Sequence, residues 1–353
     1  MSASTRAGEY GASRSGFTLV ELLAASAITV VVAGIMLAVL THVSRTWARA
    51  SGGLTAMQQG EQALDLLARD MQAAVLCRDG RVWLAATIQP DQSGGGDAGG
   101  TLGAWSPAVR KPGWASPGAA NSSLDLEPAT GRIEECRFGM AGVWLRFAAD
   151  VPDRNDTISS ISAPRVVSYQ IVRRAVSAGA GSTQRYALFR SEVRPYADDS
   201  PARERSSWSV GFDVFAAAYN GTTGGGNPGD AGTVRRPRRD LLLANEVIDF
   251  GVRFHWVAAD GTRRTLFPTG NGNLGFAATT DTTARPPNPT VQAGAMSYGF
   301  PTEAELFVRV LTEGGARQIA AFEAGQLTGP SWWAIATTHS VVFTRRVSLE
   351  ASP

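Results

Sequence analysis

The sequence predicts an α+β fold in which one long N-terminal helix packs on an antiparallel β-sheet with long Gly/Pro-rich loops. Three observations predict it. Residues 17–40 form an apolar run, and helical periodicity resumes after it and continues to about residue 76. Beyond residue 80, apolar and polar residues alternate at the period of a strand in several separate segments. Between those segments lie three stretches rich in Gly, Pro, Ser and Asn, the composition of loops.

The apolar run opens the helix. Residues 16–40 read GFTLVELLAASAITVVVAGIMLAVL, and Glu21 is the one ionisable side chain among them. An apolar stretch of about 18–25 residues is long enough to cross the hydrocarbon core of a bilayer. A carboxylate at the centre of such a helix costs roughly 2.5–3.5 kcal/mol. Near the end the cost is smaller, and the helix dipole favours a negative charge in the first turn. Solvation therefore tolerates Glu21 without calling for it. A secretory signal peptide has an apolar region of about 7–15 residues and a small-residue cleavage site. Ala48-Arg49-Ala50 fits the small-residue rule, but it lies well past a run that is too long and carries a charge. A simple signal anchor is the plainer alternative. Arg6 and Arg14 precede the helix while Arg45 and Arg49 follow it, so the positive-inside count leaves orientation open.

The helix continues after a polar junction containing Trp47 and the Gly52-Gly53 pair. Leu64, Leu67, Met71 and Val75 fall on one stripe of a 3.6-residue period, with Glu61, Asp65, Arg69 and Gln72 on the other sides. Asp65 and Arg69 have the i, i+4 spacing of a surface ion pair. A helix over residues 17–76 would measure about 90 Å at 1.5 Å per residue. Its first half would face lipid or neighbouring helices, and its second would bury one stripe against a globular domain. Each glycine costs about 1 kcal/mol in a helix interior, so the pair is a candidate kink or melted turn.

Strands follow. Residues 81–88 (RVWLAATI) are the first, and a loop-like passage, about 89–130, comes next. Its Asp91 and Asp97 lack the EF-hand spacing and read as a solvated loop. Residues 143–148 alternate as a strand, and 165–174 with 186–193 form a hairpin across a Gly/Ser-rich turn. A second loop, about 195–237, leads into the basic run Arg235-Arg236-Pro237-Arg238-Arg239. That run could touch lipid phosphates or an acidic partner; Pro237 argues against a basic helix, and a solvated face is the preferred reading. In residues 247–256, Ile248, Phe250, Val252, Phe254 and Trp256 alternate with Asp249, Gly251, Arg253 and His255, the pattern of a half-buried antiparallel strand. A third loop stretch, about 268–300, precedes a strand at 304–312, and residues 339–349 read as the last strand. Residues 316–324 fit either a short helix or a strand.

Composition bounds the chemistry. The chain has 353 residues and a net charge of +2, room for one large or two ordinary domains beyond the helix and no case for nucleic acid. Its basic residues are almost all arginine, with Lys111 the only lysine. Cys77 and Cys136 are too few for a disulfide framework. In an oxidising compartment they could pair, closing a loop of about 60 residues worth roughly 4 kcal/mol; unpaired buried thiols are the equal alternative. His42, His255 and His339 show no metal-ligand spacing, so no metal or cofactor is expected. No nucleophile elbow, Walker loop or dinucleotide fingerprint is present. Glu134-Glu135, Asp153 and Asp156 read as isolated carboxylates. The nine tryptophans include Trp105, Trp114, Trp332 and Trp333; exposed, they could bind sugar or a partner, but packing is preferred. The chain is not read as an enzyme.

Gly16-Phe17-Thr18-Leu19-Val20-Glu21, followed by an apolar helix, resembles the prepilin-type cleavage and methylation motif of type IV pilins and of type II secretion pseudopilins. The resemblance implies that a prepilin peptidase cuts between Gly16 and Phe17 and N-methylates Phe17. It also implies that Glu21 pairs with the N-terminal amine of a neighbouring subunit during assembly. The fold it implies is pilin-like, the helix having a membrane half and a periplasmic half. The continuation LLARDMQAAV, the hairpin, LLLANEVIDFGVRFHW and AELFVRVLT occur in an order similar to minor pseudopilins of the J class, although the three long loops depart from a compact family domain. The organisation implied is a leader over 1–16, a transmembrane helix over 17–40, its periplasmic continuation over 41–76 and a β-rich periplasmic domain over 77–353. Implied partners are the prepilin peptidase, other pseudopilins or pilins, an inner-membrane assembly platform and the lipid bilayer, and the implied location is the inner membrane. A minor type IV pilin serving adhesion, motility or DNA uptake has the same chemistry. A membrane-anchored binding module with a pilin-type leader is the alternative from another class.

Overall fold

The computed structural model describes residues 18–77, 81–88, 124–139, 142–150, 164–175, 184–193, 214, 241–270, 275–278, 296–298, 300–327 and 329–349. Helix α1 (Leu19–Gln72) is unbroken through Gly52 and Gly53, so the glycine pair does not melt a turn. The chain divides into two compact units, Met1–Ser51 and Gly52–Pro353. In the first, residues 19–44 are exposed throughout, as a helix apolar on every side must be when no protein surrounds it.

The second unit contains the rest of α1 and two sheets. One sheet has seven strands in the order β5-β4-β3-β2-β1-β8-β9: β1 (Leu84–Ile88), β2 (Val143–Ala149), β3 (Arg165–Ala175), β4 (Gln184–Val193), β5 (Leu242–Asn245), β8 (Gly275–Ala278) and β9 (Met296–Tyr298). Its pairings are antiparallel except β8 with β9. The other, fully antiparallel, has four strands in the order β11-β10-β6-β7: β6 (Val247–Val257), β7 (Arg263–Phe267), β10 (Glu303–Leu311) and β11 (Ser340–Ser348). The architecture is α+β and consistent with a pilin-like fold. The β3–β4 hairpin and the strands expected near 81–88, 143–148, 247–256 and 304–312 are all present. Strands β8 and β9 fall inside the stretch read as a third loop.

One core is shared by the helix and both sheets. Leu64, Leu67 and Met71 of α1 are buried as their spacing predicts, while Val75 lies past the end of the helix. Ala56 and Ala63 share the buried face, and Phe343 of β11 lies against Gly60, where a Cβ would come within 2.4 Å of the ring. Asp65 pairs with Arg345 of β11 instead of with Arg69. Near the end of the helix, the buried carboxylate of Asp70 accepts from the hydroxyl of Tyr169 on β3 and from Arg190 Nε on β4 at 2.6 Å. Glu192 and Arg165 extend that chain of charges. Past the helix, Val75 N–H donates to Ala148 and Asp150 N–H to Ala73, which sews the chain onto β2. Ring contacts tie the sheets together: Tyr169 to Phe250 at 6.4 Å and Phe254 to Phe276 at 4.9 Å.

Strand β6 is buried on both faces along most of its length, not on one. Phe250, Val252 and Phe254 enter the shared core. The opposite face, expected to meet solvent, lies under a strap of residues 124–139 that the sequence offered only as the end of a loop and an acidic pair. Phe138 packs so closely on Gly251 that a Cβ there would sit 2.1 Å from the ring. Glu134 and Glu135 belong to a 3-10 turn, Ile133–Glu135. Polar contacts clamp the strap. Phe138 N–H donates to both carboxylate oxygens of Asp249 at 3.2 Å, and Arg309 Nη2 donates to Glu134 O at 3.2 Å. Arg253 donates to Gly131 O at 2.9 Å and reaches Cys136 Sγ at 3.0 Å. Trp256 is half exposed at the far end of β6.

After β10, residues 316–324 resolve as helix: α2 (Glu313–Glu323) is N-capped by the Thr312 hydroxyl, and α3 (Trp332–Thr338) by Ser331. His339 therefore caps α3, and the last strand begins one residue later. Trp332 and Trp333 are buried, in line with the packing reading. Glu323 accepts from Trp332 Nε1 at 3.1 Å and from Arg173 at 2.8 Å, locking α2 to α3 and to β3. Asp91, Asp97, Trp105, Trp114, Asp153, Asp156 and residues 235–239 lie outside the described residues.

Two predictions follow from the β6 strap. Gly251→Ala overpacks Phe138 and lowers stability by about 1–3 kcal/mol in urea unfolding followed by tryptophan fluorescence. The same substitution in a Phe138→Leu background costs less; equal costs in the two backgrounds would show that the ring contact does not matter. Burial pushes the Asp249 carboxyl up to about 8, the Arg309 guanidinium and the Phe138 N–H offsetting only part of it. A carboxyl whose folded value is raised stabilises fully below its unfolded value of about 4, and that contribution is lost as pH rises towards 8. Asp249→Asn is insensitive to this loss. The melting temperature of the variant minus that of the wild type rises from pH 5 to pH 8, and a pH-independent difference refutes the assignment.

Candidate functional site

The candidate site is the start of α1. Thr18 precedes the helix, and Glu21 occupies its first turn. The Thr18 N–H donates to Glu21 Oε2 at 2.9 Å and its hydroxyl to the same oxygen at 3.0 Å. In return, Glu21 N–H donates to the Thr18 hydroxyl oxygen at 3.3 Å, and Leu22 N–H to the Thr18 carbonyl at 3.2 Å. This reciprocal arrangement is a capping box. It gives Glu21 a local role that the sequence reading missed, although the Thr-x-x-Glu spacing was its signal. Both side-chain bonds of the box land on Oε2, so the box does not use Oε1.

Downstream, the helix satisfies its own polar groups. The hydroxyls of Ser26, Thr29, Thr41 and Thr46 donate to the carbonyls of Leu23, Ala25, Ala38 and His42 at 2.8–2.9 Å. Between Leu19 and Ser44 the helix is long and apolar enough to cross a membrane, and none of that stretch is buried in protein. Glu21 is its one ionisable carboxylate. Gly16 and Phe17 lie outside the described residues.

The other candidate residues, His42 apart, belong to the second unit. Cys77 and Cys136 are not joined in a disulfide. Cys136 is buried, bonded to the Leu126 carbonyl at 3.7 Å, and burial pushes its thiol up to about 11 against the pull of Arg253. His42 is on α1, and His339 is the cap of α3. His255 is brought beside Glu303 and Glu305 by the register of β6 with β10, a cluster of three potential metal ligands that sequence spacing could not reveal. Its carboxylates are already engaged. Glu305 Oε1 pairs with Arg263 and with Arg346 at 2.8 Å, and its Oε2 lies 3.3 Å from His255 Nε2 and 3.7 Å from Arg253. Glu303 pairs with Arg263 and with Arg346 at 3.2 Å. Burial raises the Glu305 carboxyl, but hydrogen bonds from His255, Arg263 and Arg346 outweigh it and hold the group well below the usual carboxylate range. Three guanidiniums around two carboxylates leave the node cationic, and a metal ion would first have to displace an arginine. The cluster is a tie between four strands.

The prokaryotic N-terminal methylation motif family matches residues 11–37. No curated protein and no solved structure matches the chain. The match takes in the few residues before the capping box, the box itself and most of the apolar helix. It supports a type IV pilin-like protein that is processed by a prepilin peptidase and assembles with other pilins, and with the single apolar helix it supports anchoring in a membrane.

Proposed function

We propose that the chain is a minor pseudopilin, cut by prepilin peptidase, held in the inner membrane and then built into a periplasmic filament for type II protein secretion. The observation that carries this is the methylation motif set directly on a capped, lipid-compatible helix whose first turn holds a carboxylate. In this reading residues 1–16 are the leader, residues 17–40 cross the membrane, 41–76 continue the helix and 77–353 form the periplasmic body. The protein is a structural subunit, and the chemistry is done to it: hydrolysis of the Gly16–Phe17 peptide bond and methylation of the amine released on Phe17.

Assembly then follows from charge. The new ammonium is on Phe17, the residue immediately before the Thr18–Glu21 box, and among packed apolar helices opposite charges attract more strongly than in water. Glu21 of one subunit keeps Oε1 clear of its own cap, so it accepts a neighbour's amine without giving up the bonds to Thr18. Pairing thus adds an ion-pair attraction to a carboxylate whose hydrogen bonds to Thr18 stay in place.

Two outcomes are expected in cells carrying the complete assembly machinery. The mature wild-type chain has the mass of residues 17–353 plus one methyl group, and Gly16→Glu keeps the leader; a Gly16→Glu chain of mature mass refutes the cleavage assignment. Glu21→Ala is processed like wild type but recovered in sheared filaments at about a tenth of the wild-type level or less, the loss expected when removal of one charge costs more than about 1.4 kcal/mol. Wild-type incorporation of Glu21→Ala would refute the pairing role.

A further inference from the structure

We infer that α1 is measured to the bilayer, with Glu21 in one interfacial layer and Trp47 in the other, the indole of Trp47 being the lipid anchor that fixes this register. The inference rests on the membrane-spanning reading above. The apolar stretch Leu19–Ser44 has 26 residues, about 39 Å of helix at 1.5 Å per residue. The hydrocarbon core is about 30 Å thick. The surplus of about 9 Å lets the helix slide by roughly six residues with apolar side chains still filling the core. Length alone therefore does not set the depth.

The residues at the two ends do. If hydrocarbon began at Leu19, the carboxylate of Glu21 would be drawn into it, while Leu40, Val43 and Trp47, 65%, 56% and 76% exposed and on one helix face at i, i+3 and i+7, would project into water. Moving the helix by about one turn removes both penalties. Trp47, three residues past Ser44, then reaches the headgroup layer, where an aromatic ring with a polar N–H is favoured. Hydrocarbon runs from about residue 23 to about residue 43. Glu21 and its Thr18 cap come out at the opposite face. The rise from Glu21 to Trp47 is again about 39 Å, close to the roughly 40–45 Å of a bilayer with its interfacial layers. A tilt of about 20° shortens this to about 37 Å and keeps both residues in those layers. The hydroxyls left inside, on Ser26, Thr29 and Thr41, are the ones bonded to helix carbonyls.

The full-length protein is reconstituted in phosphatidylethanolamine–phosphatidylglycerol vesicles containing lipids brominated either near the headgroup or near the bilayer centre. The Trp47 signal is the wild-type fluorescence minus that of Trp47→Phe. Val20→Trp and Gly34→Trp, each made in the otherwise wild-type chain and read as the variant's fluorescence minus that of the wild type, report the first turn and the middle of the helix; Gly34 has open space around it. Expected are quenching at least about twofold stronger from the shallow bromines at positions 47 and 20, and the reverse at position 34. Stronger deep quenching at 47 or 20, with 34 still deep, overturns the register alone. Absence of quenching at position 34 overturns the spanning reading and the register together.

Discussion

One helix has to satisfy two solvents, and that constraint organises the molecule. Between Leu19 and Ser44, α1 carries apolar side chains on every side and buries none of them in protein. From Ala56 to Met71 it narrows its apolar surface to one stripe and turns polar elsewhere. The first pattern suits a surrounding hydrocarbon phase, the second a single neighbouring surface. Because the stripe must be covered, the β-rich unit is built around it. Leu64, Leu67 and Met71 enter a core lined by both sheets, Gly60 admits Phe343, and Asp70 places one buried charge where, among the described residues, Tyr169 and Arg190 satisfy it. A buried carboxylate with a dedicated pair of partners sets the rotation of a helix more sharply than apolar contact, because any slip leaves the charge uncompensated.

The same logic explains why strand β6, central in the four-stranded sheet, is not half-exposed. Strand β6 packs Phe250, Val252 and Phe254 inward, and its other face carries Asp249, Arg253 and His255, residues that ordinarily mark a solvent side. Each instead meets a counterpart. Asp249 receives the Phe138 N–H, Arg253 holds Gly131 and Cys136, and His255 joins the Glu305 node. Polar groups under a strap persist only when bonded, and here the bonds come mostly from strap backbone, which no periodicity encodes.

That difference separates what was legible in the sequence from what was not. Local periodicity revealed α1, the β3–β4 hairpin, β6 and β10, since each repeats its pattern over a dozen residues or nearly so. Short elements set by distant partners stayed hidden: β8 pairs with β1 across nearly two hundred residues, and β9 needs β8 to exist. The i, i+4 rule proposed Asp65 with Arg69, but Arg345 stands closer in space and takes the carboxylate. At the candidate site, Glu21 was legible as a charge out of place. Its structural partner, three residues back, was written in Thr-x-x-Glu but overshadowed by the cleavage motif that shares those residues.

The overlap of cap and motif is itself informative. A carboxylate beside hydrocarbon needs hydrogen-bond partners, and two donors from Thr18 supply them without any partner chain. The waiting state of the subunit is thus a satisfied one. Pairing with a neighbour's ammonium, in the function proposed, adds an attraction rather than rescuing a stranded charge, so the equilibrium between membrane-resident and assembled subunit is governed by the second charge alone. In that proposal the second charge exists only after the Gly16–Phe17 bond is cut. An unprocessed chain carries the same cap and the same apolar helix but lacks the ammonium, so the proposed function makes proteolysis, and not insertion or folding, the step that renders the helix competent to assemble.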